Sequence, residues 1–236
     1  MVDHTIAYKD HSIVFYDLLE SGHNMDKFIL NGSVYNRADH LMPHILNILN
    51  KDSVVYDIGA YIGTFAIPMA LEGMQVLAFE GFPENHARLS KNCKPYPKIK
   101  TYQVAVSNKE DQKITKFNDC RDQDQNSEVL IDYVVLDNFI DNNSLPKPDF
   151  VKLDIEGMET LALLGMTNLI KDVKPIWQIG YHLGIDEDLG DYPGFVSVED
   201  GGFNFDTLFE DYNIFLNGFE VSSFDRWGEY FLIPKK

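Results

Sequence analysis

The amino-acid sequence predicts an α/β fold: a doubly wound, mostly parallel sheet of seven strands that ends in an antiparallel C-terminal hairpin. Three observations carry this. Short apolar runs alternate with helical patterns between residues 53 and 182, joined by short turns, which favours parallel strands with crossover helices. A glycine-bracketed turn follows the first of these runs, and an acid ends the second, one strand–helix–strand unit later. Finally, YNIFLNGFEV (212–221) and GEYFLIPKK (228–236) are joined by too little chain for a crossover helix, so they are expected to pair antiparallel.

The elements follow in order. Residues 4–16 mix β-branched and aromatic residues with charge and read as short strands. Leu41, Ile45, Leu46 and Ile48 mark an amphipathic helix over 36–49. SVVYDIG (53–59) is a buried strand, and YIGTFAIPMALEG (61–73) is a helix stopped at Gly73, with Pro68 expected to kink it. QVLAFE (75–80) is the next strand. PENHARLSKNC (83–93) is a helix with Pro83 at a favoured first position, and IKTYQVAVS (99–107) is a further strand. KITKF and VLIDYVVL, within 107–136, interrupt the rhythm as a side hairpin. It resumes with DFVKLD (149–154), a helix over 157–164 and PIWQIGYH (175–182). Residues 1–50 read as an N-terminal extension of the same domain, and 51–236 as its principal part.

The chain has 236 residues and a formal net charge of −17. So acidic a surface repels phosphate backbones, which excludes a nucleic-acid partner unless a local basic groove exists. No Lys or Arg lies between Pro175 and Asp225, where acids crowd; this is a solvated surface or a preference for neutral or cationic substrates. Cys93 and Cys120 have neither metal nor disulfide spacing. With no signal-peptide pattern and no apolar run long enough for a membrane span, the expected location is the cytoplasm.

In VVYDIGAYIGTF the small residues Gly59 and Gly63 let backbone N–H groups approach a ligand closely. The nicotinamide fingerprint G-x-G-x-x-G is absent, since only G-x-x-x-G remains. Asp57 precedes the glycines; it would repel a pyrophosphate but attract the ammonium of a methionine moiety. Glu80, about twenty residues on, suits the two hydroxyls of a ribose. The pair therefore points to S-adenosylmethionine rather than a dinucleotide.

The chain resembles FkbM-type methyltransferases, a branch of the class I S-adenosylmethionine-dependent enzymes with a Rossmann-like fold. The resemblance rests on VVYDIGAYIGTFAI (54–67), VLAFEGFPENHARLSKN (76–92), QVAVSN (103–108), VVLDNFI (134–140), FVKLDIEGMETLALLGM (150–166) and the closing YFLIPKK. KLDIEGME after a VVLDNFI-like segment is its most specific part. The resemblance implies that Asp57, Gly59, Tyr61 and Gly63 surround the methionine end. Glu80 then holds the ribose, Phe82 covers the adenine, and Gln103 and Val104 face the adenine edge. Gly81 stands where the family often has proline. Residues 1–50 and 184–204 match nothing in the family.

Ligands of open α/β sheets bind beyond the carboxyl ends of the strands. Asp154 ends the DFVKLD run and is expected beside both cofactor and acceptor. Methyl transfer to an alcohol needs positioning and a proton acceptor, for which Asp154, Glu156 and His182 are the candidates. Glu156 and His182 are read equally well as ordinary element termini, and Glu159 as a helix-opening carboxylate. Two acids and a histidine also suggest a divalent metal, but their spacing is no recognised ligand pattern, and none is expected. The leading reading is O-methylation of a hydroxyl on a sugar or other small molecule. The alternatives are an S-adenosylmethionine-binding protein without transfer and an NAD-dependent oxidoreductase.

Overall fold

The structure is a computed structural model that describes residues 1–18, 24–32, 42–117, 127–182, 205–216, 219–222 and 228–236. Strands β1 (Val2–Tyr8) and β2 (His11–Leu18) pair antiparallel. Helices α1 (Asn24–Leu30) and α2 (Met42–Ile48) follow; residues 36–41 of the expected helix lie outside the described residues. Next come β3 (Val54–Ile58), α3 (Ala66–Leu71), β4 (Gln75–Phe79), α4 (Pro83–Cys93), β5 (Ile99–Tyr102) and β6 (Ala105–Val106). Then follow β7 (Asp111–Phe117), β8 (Ser127–Val134), α5 (Leu136–Asn142), β9 (Phe150–Leu153) and α6 (Glu159–Leu164). A π-helical turn (Leu169–Val173) leads to β10 (Ile176–Tyr181). The chain closes with α7 (Phe205–Leu208), β11 (Tyr212–Leu216), β12 (Phe219–Val221) and β13 (Gly228–Pro234). No helix among the described residues is long and apolar enough to cross a membrane.

The principal sheet runs in the order β12-β11-β13-β10-β9-β3-β4-β5. β3, β9 and β10 are parallel, as are β4 and β5, whereas β13 is antiparallel to β10 and β11. This is the expected α/β sheet, mostly parallel with antiparallel C-terminal strands. It has eight strands rather than seven, because YNIFLNGFEV turns back on itself: β11 and β12 pair antiparallel, Leu216 against Phe219. The run IKTYQVAVS also divides. β5 ends at Tyr102, and β6 joins a separate three-stranded sheet in the order β6-β8-β7.

The chain forms two compact units. The first holds residues 1–53, 60–105 and 112–132. Its core includes Ile13, Phe15, Ile29, Ile45, Leu77, Phe79 and Leu89, all essentially inaccessible to solvent. Buried Asn92 stitches it together by accepting from the Tyr16 N–H at 2.9 Å and donating to the Ile62 carbonyl at 2.9 Å. Pro68 falls in the first turn of α3, where its missing N–H removes no helical bond. The second unit holds residues 54–59, 106–111 and 133–236, with Val55, Tyr56, Phe150, Val151, Trp177 and Tyr230 at its centre. β3, β9 and β10 are nearly continuous apolar runs, as strands covered on both faces must be.

Two glycines explain local geometry. Gly59 has φ +82°, and a Cβ there would stand 1.9 Å from the Asp154 carbonyl oxygen. At Gly81 a Cβ would meet the Ala105 Cβ at 2.8 Å, so the family's proline is sterically excluded unless Ala105 moves.

Gly59→Ala therefore combines a backbone clash with left-handed strain and is expected to cost on the order of 3 kcal/mol in urea unfolding. Gly32→Ala, with φ +88° but open space around it, is expected to cost only about 1 kcal/mol. Equal losses at the two positions would refute the close approach.

Candidate active site

In the first unit the site residues gather on the turn after β3 and at the end of β4. Ala60 donates its N–H to the Phe79 carbonyl at 3.0 Å, which brings the turn against β4. Tyr61 adopts φ +52°, uncommon for a side-chain-bearing residue. Its N–H donates to Glu80 Oε2 at 2.9 Å, while Phe82 N–H donates to Glu80 Oε1 at 3.0 Å. The Glu80 carboxylate is thus oriented by two backbone donors, one on each oxygen. Phe82 is buried at the N-terminus of α4; Gly63, with φ +96°, approaches Cys93 and Leu89 of that helix. Gln103 is exposed and Val104 half-buried, in the break between β5 and β6.

No sequence motif signals what fastens Tyr61. Its hydroxyl donates to Asp26 Oδ1 at 2.7 Å, and Arg88 lies over its ring at 5.4 Å. Arg88 grips Asp26 through Nη2, at 2.9 and 2.8 Å from its two carboxylate oxygens. Asp26 is fully buried and Arg88 only 12% exposed. Burial, reinforced by Asp26, pushes the Tyr61 phenol far above its usual range even though Arg88 opposes this. Asp26 belongs to α1, where no motif marks it.

In the second unit the centre is Lys152. Asp57 and Lys152 are register partners across β3 and β9, and Asp154 lies two residues on, on the same face. The Lys152 ammonium sits 3.5 Å from Asp57 Oδ1, 3.6 Å from Asp154 Oδ2 and 3.4 Å from the Gly59 carbonyl oxygen. Burial alone would lower its pKa. The carboxylates of Asp154, Asp57 and Glu229 overcome that and hold it above the ordinary lysine range. Asp57 is completely buried against this ammonium, whereas Asp154 remains 35% exposed. The Asp154 carboxylate rests on Gly180, with Cγ 3.1 Å from where a Cβ would stand.

The loop after β9 is organised by Glu159, which is 1% exposed. It accepts from the backbone N–H groups of Ile155 at 3.0 Å and Gly157 at 3.1 Å, the helix-opening role expected of it. It also contacts His182 Nδ1 at 3.1 Å. On the other side of the ring, His182 Nε2 lies 3.7 Å from Glu156 Oε2. Glu156 takes φ +55° and is half exposed. Burial disfavours a charged imidazole, but Glu159, Asp154 and Glu156 together raise the His182 pKa to about 9. At neutral pH the ring therefore carries its proton already, which argues against the free base for which the sequence nominated it.

Single ligand atoms of Asp154, Glu156 and His182 lie within 4.8 Å of one another. The Lys152 ammonium and the His182 imidazolium already supply cations among these carboxylates, so we read the group as an ion-pair cluster. Among the described residues, Asp57, Asp154, Glu156, Glu159 and Glu229 outnumber these two cations, which suits a positively charged ligand.

A mostly parallel sheet with β13 inserted antiparallel between β10 and β11, an acid-and-glycine turn after β3 and an acid after β4 define the fold of the class I S-adenosylmethionine-dependent methyltransferases. Within that class the chain belongs to the FkbM methyltransferase domain family, which its residues 57–221 match. Over 148 residues it is 28% identical to hexuronic acid methyltransferase AglP of Haloferax volcanii, covering 60% of this chain and 61% of that protein. A stretch of 74 residues is 38% identical to the tRNA (guanine(37)-N(1))-methyltransferase of Mus musculus, covering 31% and 12%. The crystal structure of methyltransferase FkbM from Methylobacillus flagellatus shares the fold, with a TM-score of 0.53 at 21% identity over 79% of this chain and 45% of that one. The chain thus spans less than two thirds of each of these proteins. The family's cofactor is S-adenosylmethionine, and a carboxylate oriented by two backbone N–H groups at the end of β4 is the kind of acceptor that suits its ribose hydroxyls.

Two outcomes follow. Asp26→Asn leaves the Arg88 charge buried without its acid and is expected to lower stability by about 3 kcal/mol in denaturant titrations. The His182 value of about 9 lies above the unfolded value of 6.5, so its stabilisation is complete below pH 6.5 and is lost as pH rises through 9. Unfolding free energy should therefore fall between pH 6 and 9.5 in the wild type and fall less in His182→Gln; parallel curves would contradict the ion pair.

Proposed function

We propose that this protein transfers the methyl group of S-adenosylmethionine to a hydroxyl oxygen of a sugar or other small molecule. The observation that carries the reading is the surplus of carboxylates around Lys152 and His182. A neutral hydroxyl is tolerated by this cluster and finds hydrogen-bond acceptors beside it. The resemblance to a hexuronic acid methyltransferase supports a sugar as the acceptor class.

The cofactor supplies an electrophilic methyl on a positively charged sulfur; the rest is positioning and charge. In this reading Glu80, held by Tyr61 and Phe82 N–H, takes the ribose hydroxyls. The Asp26–Arg88 clasp keeps Tyr61, and hence that carboxylate, in place. Phe82 covers the adenine, with Gln103 and Val104 at its edge, and Gly59 and Gly63 keep side chains out of the turn. Asp57 acts through Lys152 rather than on the ligand, since its carboxylate is wholly enclosed against that ammonium. Asp154, exposed and steadied by the same ammonium, meets the acceptor hydroxyl. Glu156 and His182 form a charged flank to it.

Thermal unfolding with millimolar ligands tests the reading. S-adenosylmethionine and S-adenosylhomocysteine should raise the melting temperature while NAD leaves it unchanged, and a screen of hydroxylated sugars should release S-adenosylhomocysteine. Glu80→Ala should weaken cofactor binding by about 10- to 100-fold, the worth of one or two hydrogen bonds to a charged group. No stabilisation by either S-adenosyl compound would remove the proposal.

A further inference from the structure

The row that begins with Asp57 and Lys152 does not stop at β9. Gln178 is the register partner of Lys152 on β10, and it is 2% exposed in a strand otherwise apolar. Its amide nitrogen donates to Glu229 Oε2 at 3.4 Å, and its Oε1 is buried without a hydrogen-bond partner. Polar groups in the interior of a parallel sheet are costly, and an unsatisfied one calls for an explanation. Glu229 stands near the start of β13 as register partner of Gly180, the glycine whose missing side chain leaves space for the Asp154 carboxylate. Glu229 and Asp154 are thereby brought to one face at the carboxyl end of β9 and β10. Glu229 lies beyond residues 57–221, the segment that the family match covers.

We propose that Glu229 is the general base of this methyltransferase and receives the proton of the acceptor hydroxyl. The inference rests on the transferase reading above and adds a residue to it. As the hydroxyl oxygen forms its bond to the methyl carbon, the carbon–sulfur bond breaks with its electron pair left on sulfur. The hydroxyl proton moves to a Glu229 carboxylate oxygen and leaves later for solvent. The surroundings suit a group that must take and return a proton. Burial, followed by the negative charge of Asp154, lifts the Glu229 carboxyl above its ordinary range; Gln178, Lys152 and His182 pull it back only in part. Two half-buried carboxylates on one face, Glu229 beside Gln178 and Asp154 beside the lysine, divide the roles of base and positioning acid.

Carboxyl NMR of the protein labelled with ¹³C-glutamate, alone and with S-adenosylhomocysteine, tests this without knowledge of the acceptor; Glu229→Gln identifies the resonance. The expected result is a titration midpoint above those of surface glutamates such as Glu220. A midpoint at or below theirs overturns the proposal. With an acceptor from the sugar screen, Glu229→Gln should lower kcat about 10²- to 10⁴-fold, the usual worth of general-base help. It should abolish the acid limb of the kcat profile. Glu229→Asp should recover part of the rate and serves where the Gln variant folds poorly. Unchanged kcat in Glu229→Gln would likewise overturn the role. A protein that binds no S-adenosyl compound defeats the transferase reading instead, and the two failures are read from separate measurements.

Discussion

A single ammonium inside a parallel sheet sets the terms for the second unit. Lys152 on β9 sets its charge against the carboxylates of Asp57 and Asp154. Removing one member of such a buried set leaves a charge in low dielectric, which costs far more than the intact set contributes. The arrangement is therefore best understood as a device for orientation. It turns Asp57 inward and holds Asp154 at the rim, and its pull on Glu229 extends the same electrostatic group to the antiparallel strand β13.

The first unit solves a similar problem with different parts. A tyrosine in a left-handed conformation carries the N–H that Glu80 needs, and a wholly buried acid–arginine clasp keeps it there. Residues 1–50 match nothing in the family segment, yet Asp26 from that region underwrites the geometry of the glycine turn. Gly81 shows the same logic in miniature, since close contact with Ala105 accounts for the family's proline being missing.

Much of the fold was legible because its signals are local. Apolar runs punctuated by glycine and proline placed β3, β4, α4, β9 and β10 near their observed bounds, whereas α3 begins only at Ala66 because the glycine turn takes up the start of its run, and the short closing connection revealed the antiparallel β11–β13 pair. The pairing of β11 with β12 is not evident from YNIFLNGFEV, whose aromatic-rich pattern reads as one continuous strand. The division of β5 from β6 depends on which sheet each part joins, and the local pattern does not record that. In the site, Asp57, Glu80 and Asp154 stood out because each is a charge ending an apolar run. Lys152 was legible in principle, since FVKLD sets Lys and Asp on one face, and so was Gln178 in IWQIGY; both were passed over as strand polarity. Glu229 and Asp26 had no such signal, because their partners lie far away in sequence. The choice of His182 as a base assumed an unperturbed ring, and three surrounding carboxylates remove that assumption.

The last strand is not at the edge of the sheet. β13 lies between β10 and β11, so the hairpin of β11 and β12 has no neighbour to dock on until residues 228–234 are in place. During synthesis from the ribosome, the facing edges of β10 and β11 must wait with open backbone groups for β13 to emerge. Stop codons or proteolytic nicks shortly after residue 221 would leave a chain that retains the whole family segment and still cannot close its sheet. Such a product is a natural client for chaperones and a seed for aggregation, whatever the state of its cofactor turn.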